Sequence, residues 1–366
     1  MPMVPVRHFN AALTRRAYWL AVLLPLMLPL GWLLRDLPGI GWLHAWLIPL
    51  GLYLLLPLAD GLLGRDVSDP PPNSATNSGE TIILCSASAS WALVLLWALI
   101  EASKGPDAVS AWTLAGLTLS LINLGGVIAI NVAHELIHRR SRWQRTVGTL
   151  LLCGVFFPCF KLVHPRWHHA KVATADDPSS APRGSNVYWR APRAWWLNTR
   201  RGFLLAAGDA RRRGRPGWLN EMVGWYGLSL GLALATLLAL GPLATGLFLI
   251  QGIGAALLLE VINYVEHYGL RRPSEPGSRP GLQHSWDSSY WLSNALLLQL
   301  PRHADHHVNP GRPYPALRRS GTAPQLPVTY SLAVLLALLP PLWWRLMDDH
   351  LPQEEHATDC GARPIP

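Results

Sequence analysis

The chain is poor in charge. Aspartate, glutamate, lysine and arginine make up only 14% of its 366 residues, against about 25% in soluble domains. It is also poor in cysteine. Cys85, Cys153, Cys159 and Cys360 form no CxxC pair, which excludes a fused rubredoxin-type iron site, with its two CxxC pairs, and implies no disulfide framework. Acid is scarcer than base, 22 residues against 31, giving a net charge of +9. No basic stripe on a soluble module accompanies that excess, so nucleic-acid binding is not indicated. The N-terminal stretch, with Arg7, Arg15 and Arg16, lacks a cleavage-site pattern after a short apolar core. Its first apolar run therefore reads as a retained span rather than a signal peptide. Internal repeats are lacking as well.

What is abundant is apolar surface. Half of the residues are hydrophobic, mean hydropathy is +0.19, and there are 18 tryptophans and 32 prolines. Tryptophan favours membrane interfaces. Apolar runs occupy about 17–34, 40–59, 82–102, 111–132, 223–243 and 246–265, and a helix over each can cross a bilayer. The expected fold is all-α: one integral-membrane domain over 1–366 with six transmembrane helices. The stretch 146–163 contains Gly154 and Pro158 and suits an interfacial or re-entrant helix. The stretch 328–347 is interrupted by Pro340 and Pro341 and ends near Trp343, Trp344 and Arg345. It too suits an interfacial helix, with a seventh span left open.

Basic residues orient these runs. Arg139, Arg140, Arg142 and Arg145 follow the fourth run, and nine arginines lie between 183 and 215. The connections after the first, third and fifth runs hold only Arg35, Lys104 and none. The excess of positive charge on cytoplasmic loops then places both termini, and every histidine group described next, in the cytoplasm. Three segments read as cytoplasmic loops: the proline-rich 68–78, and the longer 170–222 and 268–325.

Nine of the 14 histidines fall in four tight groups beyond the apolar runs. These are His134 and His138 in HELIH; His164, His168 and His169 in HPRWHH; His267 in NYVEHYG; and His303, His306 and His307 in HADHH. Neutral imidazole is the commonest side-chain metal ligand and suits iron. Nine are more than one metal can coordinate, so two ions are the natural count. His134 and His138, four apart, share a helix face. His164 and His168 repeat that spacing, with His169 turned to the neighbouring face. His303, His306 and His307 span just over one turn. Glu135, Glu266 and Asp305 each stand beside a ligand candidate and are read as second-shell carboxylates that orient imidazoles. Asp176 and Asp177 are further candidates, and His284 is assigned a structural or second-shell place. Asp60 caps a helix or pairs with Arg65. His8, His44, His350 and His356 stand alone.

HELIHRR, HPRWHHAKVATADDPSSAPRGSNVY, NYVEHYGL and LPRHADHHVNPGRPYPALR together resemble the membrane-bound non-haem diiron alkane monooxygenases, the alkane ω-hydroxylases of the fatty-acid-desaturase-like superfamily. PLADGLLGRDVSDPPP resembles a family segment after the second span. The resemblance covers about residues 15–350. It implies six transmembrane helices capped by a cytoplasmic diiron site, with His134, His138, His164, His168, His169, His267, His303, His306 and His307 as ligands. It also implies dioxygen as co-substrate, electrons from NADH through rubredoxin reductase and rubredoxin, and terminal hydroxylation of an unactivated methyl group to a primary alcohol. Pro301 and Pro315 depart from the family pattern without touching a ligand. A related branch hydroxylates methyl groups on aromatic rings, and a lipid desaturase or hydroxylase is a further alternative within the superfamily.

An alkane offers nothing polar to grip, so binding must rest on an apolar channel, at about 0.8 kcal/mol per buried CH₂. Trp46, Trp91, Trp112 and leucines of the first four spans are candidates to line it. Two other classes are less consistent with the pattern. A transporter would distribute histidines across the bilayer, and an HExxH zinc protease would leave seven of the nine without a purpose. The arginine-rich 183–215 stretch has two readings: docking an acidic electron carrier, or meeting anionic lipid headgroups.

Overall fold

A computed structural model describes residues 4–70, 78–107, 109–275 and 277–352. The middle of the proline-rich loop (71–77), and the tail with His356 and Cys360, lie outside the described residues. The fold is helical. Its strands pair only two residues each, Val6–Arg7 with Arg65–Asp66.

Among the described residues, four helices are long and apolar enough to cross a membrane. They are α1 (Ala11–Trp32), α3 (Gly79–Ser103), α4 (Ala111–Ile137) and the continuous run Glu221–His267. That run is not one rod. Gly241 sits at φ 81°, ψ −179° and is followed by Pro242. A left-handed glycine and a residue without an N–H together end one helix and start another. The run is therefore treated as α8 (221–240) and α9 (242–267). Between α1 and α3 lies α2, a shorter apolar helix over Leu47–Leu63. The 40–59 run thus becomes helical later than its hydropathy suggests. Gly39 at φ 82° and a 3₁₀ turn over Gly41–Leu43 occupy its first residues.

The surface of this bundle is apolar. Leu230, Leu234, Leu237 and Leu238 of α8 and Leu54, Leu55, Leu58 and Leu62 of α2 are all exposed. Only 22% of the most apolar window of Glu221–His267 is buried within the protein. Apolar helices that turn large side chains outward need an apolar solvent, and a lipid bilayer provides one. This is a membrane protein.

Inside, α4 and α9 approach closely through small residues. A Cβ on Gly125 would lie 2.6 Å from the Ala255 Cβ, and one on Gly254 would lie 2.6 Å from Ile122. Small residues let membrane helices pack at short range. Past Leu124, α4 widens into a π turn over Gly125–Ile130 before resuming at Asn131. That change of register turns His134 and His138 inward. Further helices, all but α7 short, close the same end of the bundle. They are α5 (Arg142–Gly154), α6 (160–171), α7 (Val187–Arg212), α10 (Trp291–Leu296), α11 (His303–Val308), α12 (Tyr330–Ala337) and α13 (Pro340–Met347). The 146–163 and 328–347 stretches are each divided into short helices, at the positions their glycine and prolines occupy.

Polar contacts pin the segment before α11. Arg302 pairs with Asp66 at 3.3 Å, and both are buried. Asp60 accepts from the backbone and hydroxyl of Ser293 at 3.1 and 2.5 Å. It does not pair with Arg65, which lies over the Tyr290 ring instead. The Gly125→Ala variant should lower the thermal midpoint of detergent-purified protein, by the equivalent of about 1–3 kcal/mol of overpacking. An unchanged midpoint would contradict this close contact.

Candidate metal centre

The nine clustered histidines, distant in sequence, meet at one end of the bundle. They form two groups in which one nitrogen per ring lies within 4.8 Å of the others. The first group is His134, His138, His164, His169 and His306; the second is His168, His267, His303 and His307. The residues called His8, His44, His284 and His350 belong to neither.

The division differs from helical expectation at α6. There His164 pairs with His169, not with His168: their Nε2 atoms are 3.0 Å apart. The cause is backbone geometry. Residues His164–His168 form a π turn, closed by the His169 N–H on the His164 carbonyl. Five residues then complete a turn, so His164 and His169 superpose while His168 points into the second group. Pro165, which has no N–H to give an α ladder, is accommodated by this turn. In α11, His303 and His307 are one α turn apart and share the second group, with Nε2 atoms 2.9 Å apart. His306 faces the first group, 2.8 Å from His134 Nε2.

The donor set fits metal ions. Eight of the rings are buried and His138 is half-buried. The Nε2 atoms of His138, His168 and His267 have no hydrogen-bond partner despite burial. Imidazole nitrogens about 2.1 Å from one metal stand roughly 3 Å apart when adjacent and roughly 4 Å apart when opposed. The observed separations of 2.8–3.4 Å match adjacent ligands. Desolvation, reinforced by neighbouring imidazoles, pushes His164, His169, His303, His306 and His307 well below the ordinary histidine pKa. All five are neutral, the form that ligates. An all-imidazole set of this kind suits first-row transition metals, iron, zinc, copper and nickel alike.

The outer contacts are more selective than the sequence suggested. Asp177 Oδ2 lies 3.0 Å from His168 Nδ1 and is itself held by the Ser180 hydroxyl at 2.7 Å. His267 Nδ1 donates to the His284 carbonyl at 3.2 Å, so His284 contributes its backbone; its ring accepts from the Gly281 N–H. Glu266 Oε2 stands 3.2 Å from His303 Nε2, while its Oε1 accepts from the Tyr330 hydroxyl at 2.7 Å. Glu135 and Asp305 meet no imidazole among the described contacts. Glu135 pairs with Arg139 and accepts from the Tyr314 N–H. Asp305 binds Arg312, Asn309 and the Arg318 N–H. Both carboxylates fasten the 309–318 loop over the site. Glu135 is thus turned to Arg139 and the Tyr314 N–H, away from the imidazoles. Tyr330 was missed in the sequence, because nothing in its neighbourhood resembles a motif.

A small cavity opens beneath the rings. Gly126, Ile130, Phe160, Leu259, Ile262 and Leu300 line it together with Asn131 and Asn263, and His134, His164, His303 and Glu266 form its end. Its apolar wall comes from the π turn of α4 and from α9. The tryptophans expected to line a channel lie elsewhere. Trp46 stacks on Trp112, and Trp91 sits against Gly154.

His168→Ala and His169→Ala should each deplete a different metal position, leaving about half of the wild-type metal on elemental analysis. Asp177→Asn leaves every ligand in place and should weaken metal binding by about 10–100-fold, as loss of an imidazole-orienting carboxylate does. Full retention by Asp177→Asn under chelator challenge would contradict that role.

Comparison with known proteins gives the same direction. Residues 109–331 match the fatty acid desaturase family. Alkane 1-monooxygenase 1 of Pseudomonas aeruginosa is 38% identical over 92% of this chain and 91% of its own length. Alkane 1-monooxygenase 2 of Alcanivorax borkumensis is 36% identical over 91% of this chain and 88% of its own. The xylene/toluene monooxygenase hydroxylase component XylM of Pseudomonas putida is 32% identical, over 64% of this chain and 63% of its own. With two imidazole clusters of metal-binding geometry at one end of an apolar helical bundle, and near full-length identity to such enzymes, this chain belongs to the alkane 1-monooxygenases of the fatty acid desaturase family.

Proposed function

We propose that this protein hydroxylates the terminal carbon of alkanes or related apolar alkyl chains to primary alcohols, using dioxygen and electrons from rubredoxin. The single observation that carries the reading is the small apolar cavity that ends on imidazoles of both histidine groups. Most of its wall is aliphatic or aromatic, with Asn131, Asn263 and Glu266 as the polar groups besides the imidazoles, a balance that favours a hydrocarbon over a polar molecule.

The two groups are proposed to hold two irons, one with five histidines and one with four. When bound, the irons supply oxygen activation and the cleavage of a strong C–H bond. The chain's own residues do the rest. Ile130, Leu259, Ile262 and Leu300 place the reacting carbon below the rings and keep water from it. Asp177 and the His284 carbonyl hold the outer protons of His168 and His267, so that Nε2 of each faces inward. Tyr330 fixes the Glu266 carboxylate at the cavity end. Six spans are proposed: α1, α2, α3, α4, α8 and α9. The positive-inside bias then puts both termini and the metal centre on the cytoplasmic face of a bacterial-type inner membrane. That side gives access to rubredoxin and its NADH-dependent reductase.

A second reading, hydroxylation of methyl groups on aromatic rings, is favoured by the likeness to a xylene/toluene monooxygenase component. Whole cells supplied with rubredoxin and its reductase separate the two when given an alkane series and xylenes. Primary alcohols from the alkanes, lost in His138→Ala, support the main reading. Activity that survives individual removal of His138, His168 and His306 would overturn it, as would one zinc and no iron in the purified protein. Leu259→Phe should shorten the longest alkane accepted, with affinity falling about fourfold for each methylene no longer buried. An unchanged chain-length profile would place the substrate elsewhere.

A further inference from the structure

We propose that the pocket between helix α7 and the turn at 175–178 binds the phosphate of an anionic lipid headgroup. Arg190, Arg193, Arg200 and Arg201 line it together with Asp176 and Asp177. The two carboxylates are engaged elsewhere: Asp176 with Lys171 at 2.9 Å, Asp177 with His168. Arg193 and Arg200 meet no carboxylate among the described residues. Arg190 donates to the carbonyls of Pro178 and Ser180, yet its Nε is buried without a partner. Arg201 is held flat over the Trp167 ring at 3.7 Å. Converging guanidiniums with spare N–H groups and little opposing charge make a site for a phosphate, whose oxygens match the planar fork.

The position of α7 says where that phosphate comes from. The helix lies across the bundle end. Its Asn198 meets Glu260 of α9 at 2.9 Å, and its Phe203 stacks on Tyr226 of α8. Tyr226 lies in the second turn of α8 and Glu260 about two turns before the end of α9, so α7 packs against the same end of both apolar helices, near the level of a membrane surface. Its outward stripe reads Trp189, Arg193, Trp196 and Arg200, at steps of four, three and four residues along one face. Trp189 is 70% exposed and Trp196 is 62% exposed. Tryptophan beside arginine on one helix face suits the boundary where acyl chains meet phosphates. An acidic protein would satisfy the arginines but would leave these indoles in water. The occupant is therefore an anionic phospholipid. The site also abuts the metal centre, since Asp177 lines the pocket with one side and holds His168 with the other.

This inference rests on the membrane placement proposed above, but not on the iron chemistry or the substrate. The test uses full-length delipidated protein, with thermal midpoint and lipid retention by mass spectrometry as readouts, neither of which needs turnover. Phosphatidylglycerol should raise the wild-type midpoint; phosphatidylcholine and millimolar inorganic phosphate should not. In the double variant R193Q/R200Q, phosphatidylglycerol retention should fall by about tenfold or more, as loss of two charge-assisted contacts implies. The variant's midpoint in phosphatidylcholine should match wild type, which shows that it folds, and R193K/R200K should recover part of the lipid effect. Equal retention by wild type and R193Q/R200Q would overturn the proposal. So would an equal shift with inorganic phosphate, which would make the site one for free anions. A lipid response left intact while KM for rubredoxin rises would assign the arginines to the electron donor and also overturn it.

Discussion

Nine imidazoles face one another at one end of an apolar bundle, and the rest of the structure serves that arrangement. Buried nitrogens 2.8–3.4 Å apart cannot all be donors or all be acceptors. Several lack any partner among protein groups. Buried polar atoms without partners cost about 1–3 kcal/mol each, so an unmetallated cluster of this size would strain a fold of ordinary stability. Metal ions bound by the rings would remove that cost, and folding and metal binding would then be one equilibrium in this region.

The scaffold meets the constraint by bending its helices. Both α4 and α6 change to a wider turn next to their histidines. In α6 this separates His168 from His164 and His169 and so divides six consecutive residues between the two histidine groups. Around them, carboxylates are distributed by task. Asp177 orients a ligand; Glu266 reaches the cavity; Glu135 and Asp305 secure the loop that covers the site through Arg139 and Arg312. The cavity meets the polar network at the rings and at Asn131, Asn263 and Glu266.

Hydrogen bonds link helix α7, segment 171–180 and the histidine cluster. Segment 171–180 packs between α7 and the second histidine group, and Ser179 joins it to α9 through Glu260 at 2.9 Å. The buried set of Glu260, Asn198, Ser179 and Asn263 ties three segments together by hydrogen bonds. No motif announces it, because its members are scattered over more than eighty residues and each is individually unremarkable for its neighbourhood.

Much of this was legible in the chain itself. Hydropathy marked the apolar helices and the weak points at Gly154, Pro158, Pro340 and Pro341, because helix length and proline chemistry are local properties. The nine histidines were legible as ligand candidates because local spacing and chemical type suffice to single them out. Their division into five and four was not: it depends on the π turn at His164–His168 and on rings brought from four segments distant in sequence. The sequence could show carboxylates beside histidines but not which way they turn, so Asp177 emerged as an orienting residue while Glu135 and Asp305 became loop anchors. What each residue can do is set by its chemistry and by the few residues around it. Which partner it meets is decided by packing between helices, and only the folded chain contains that.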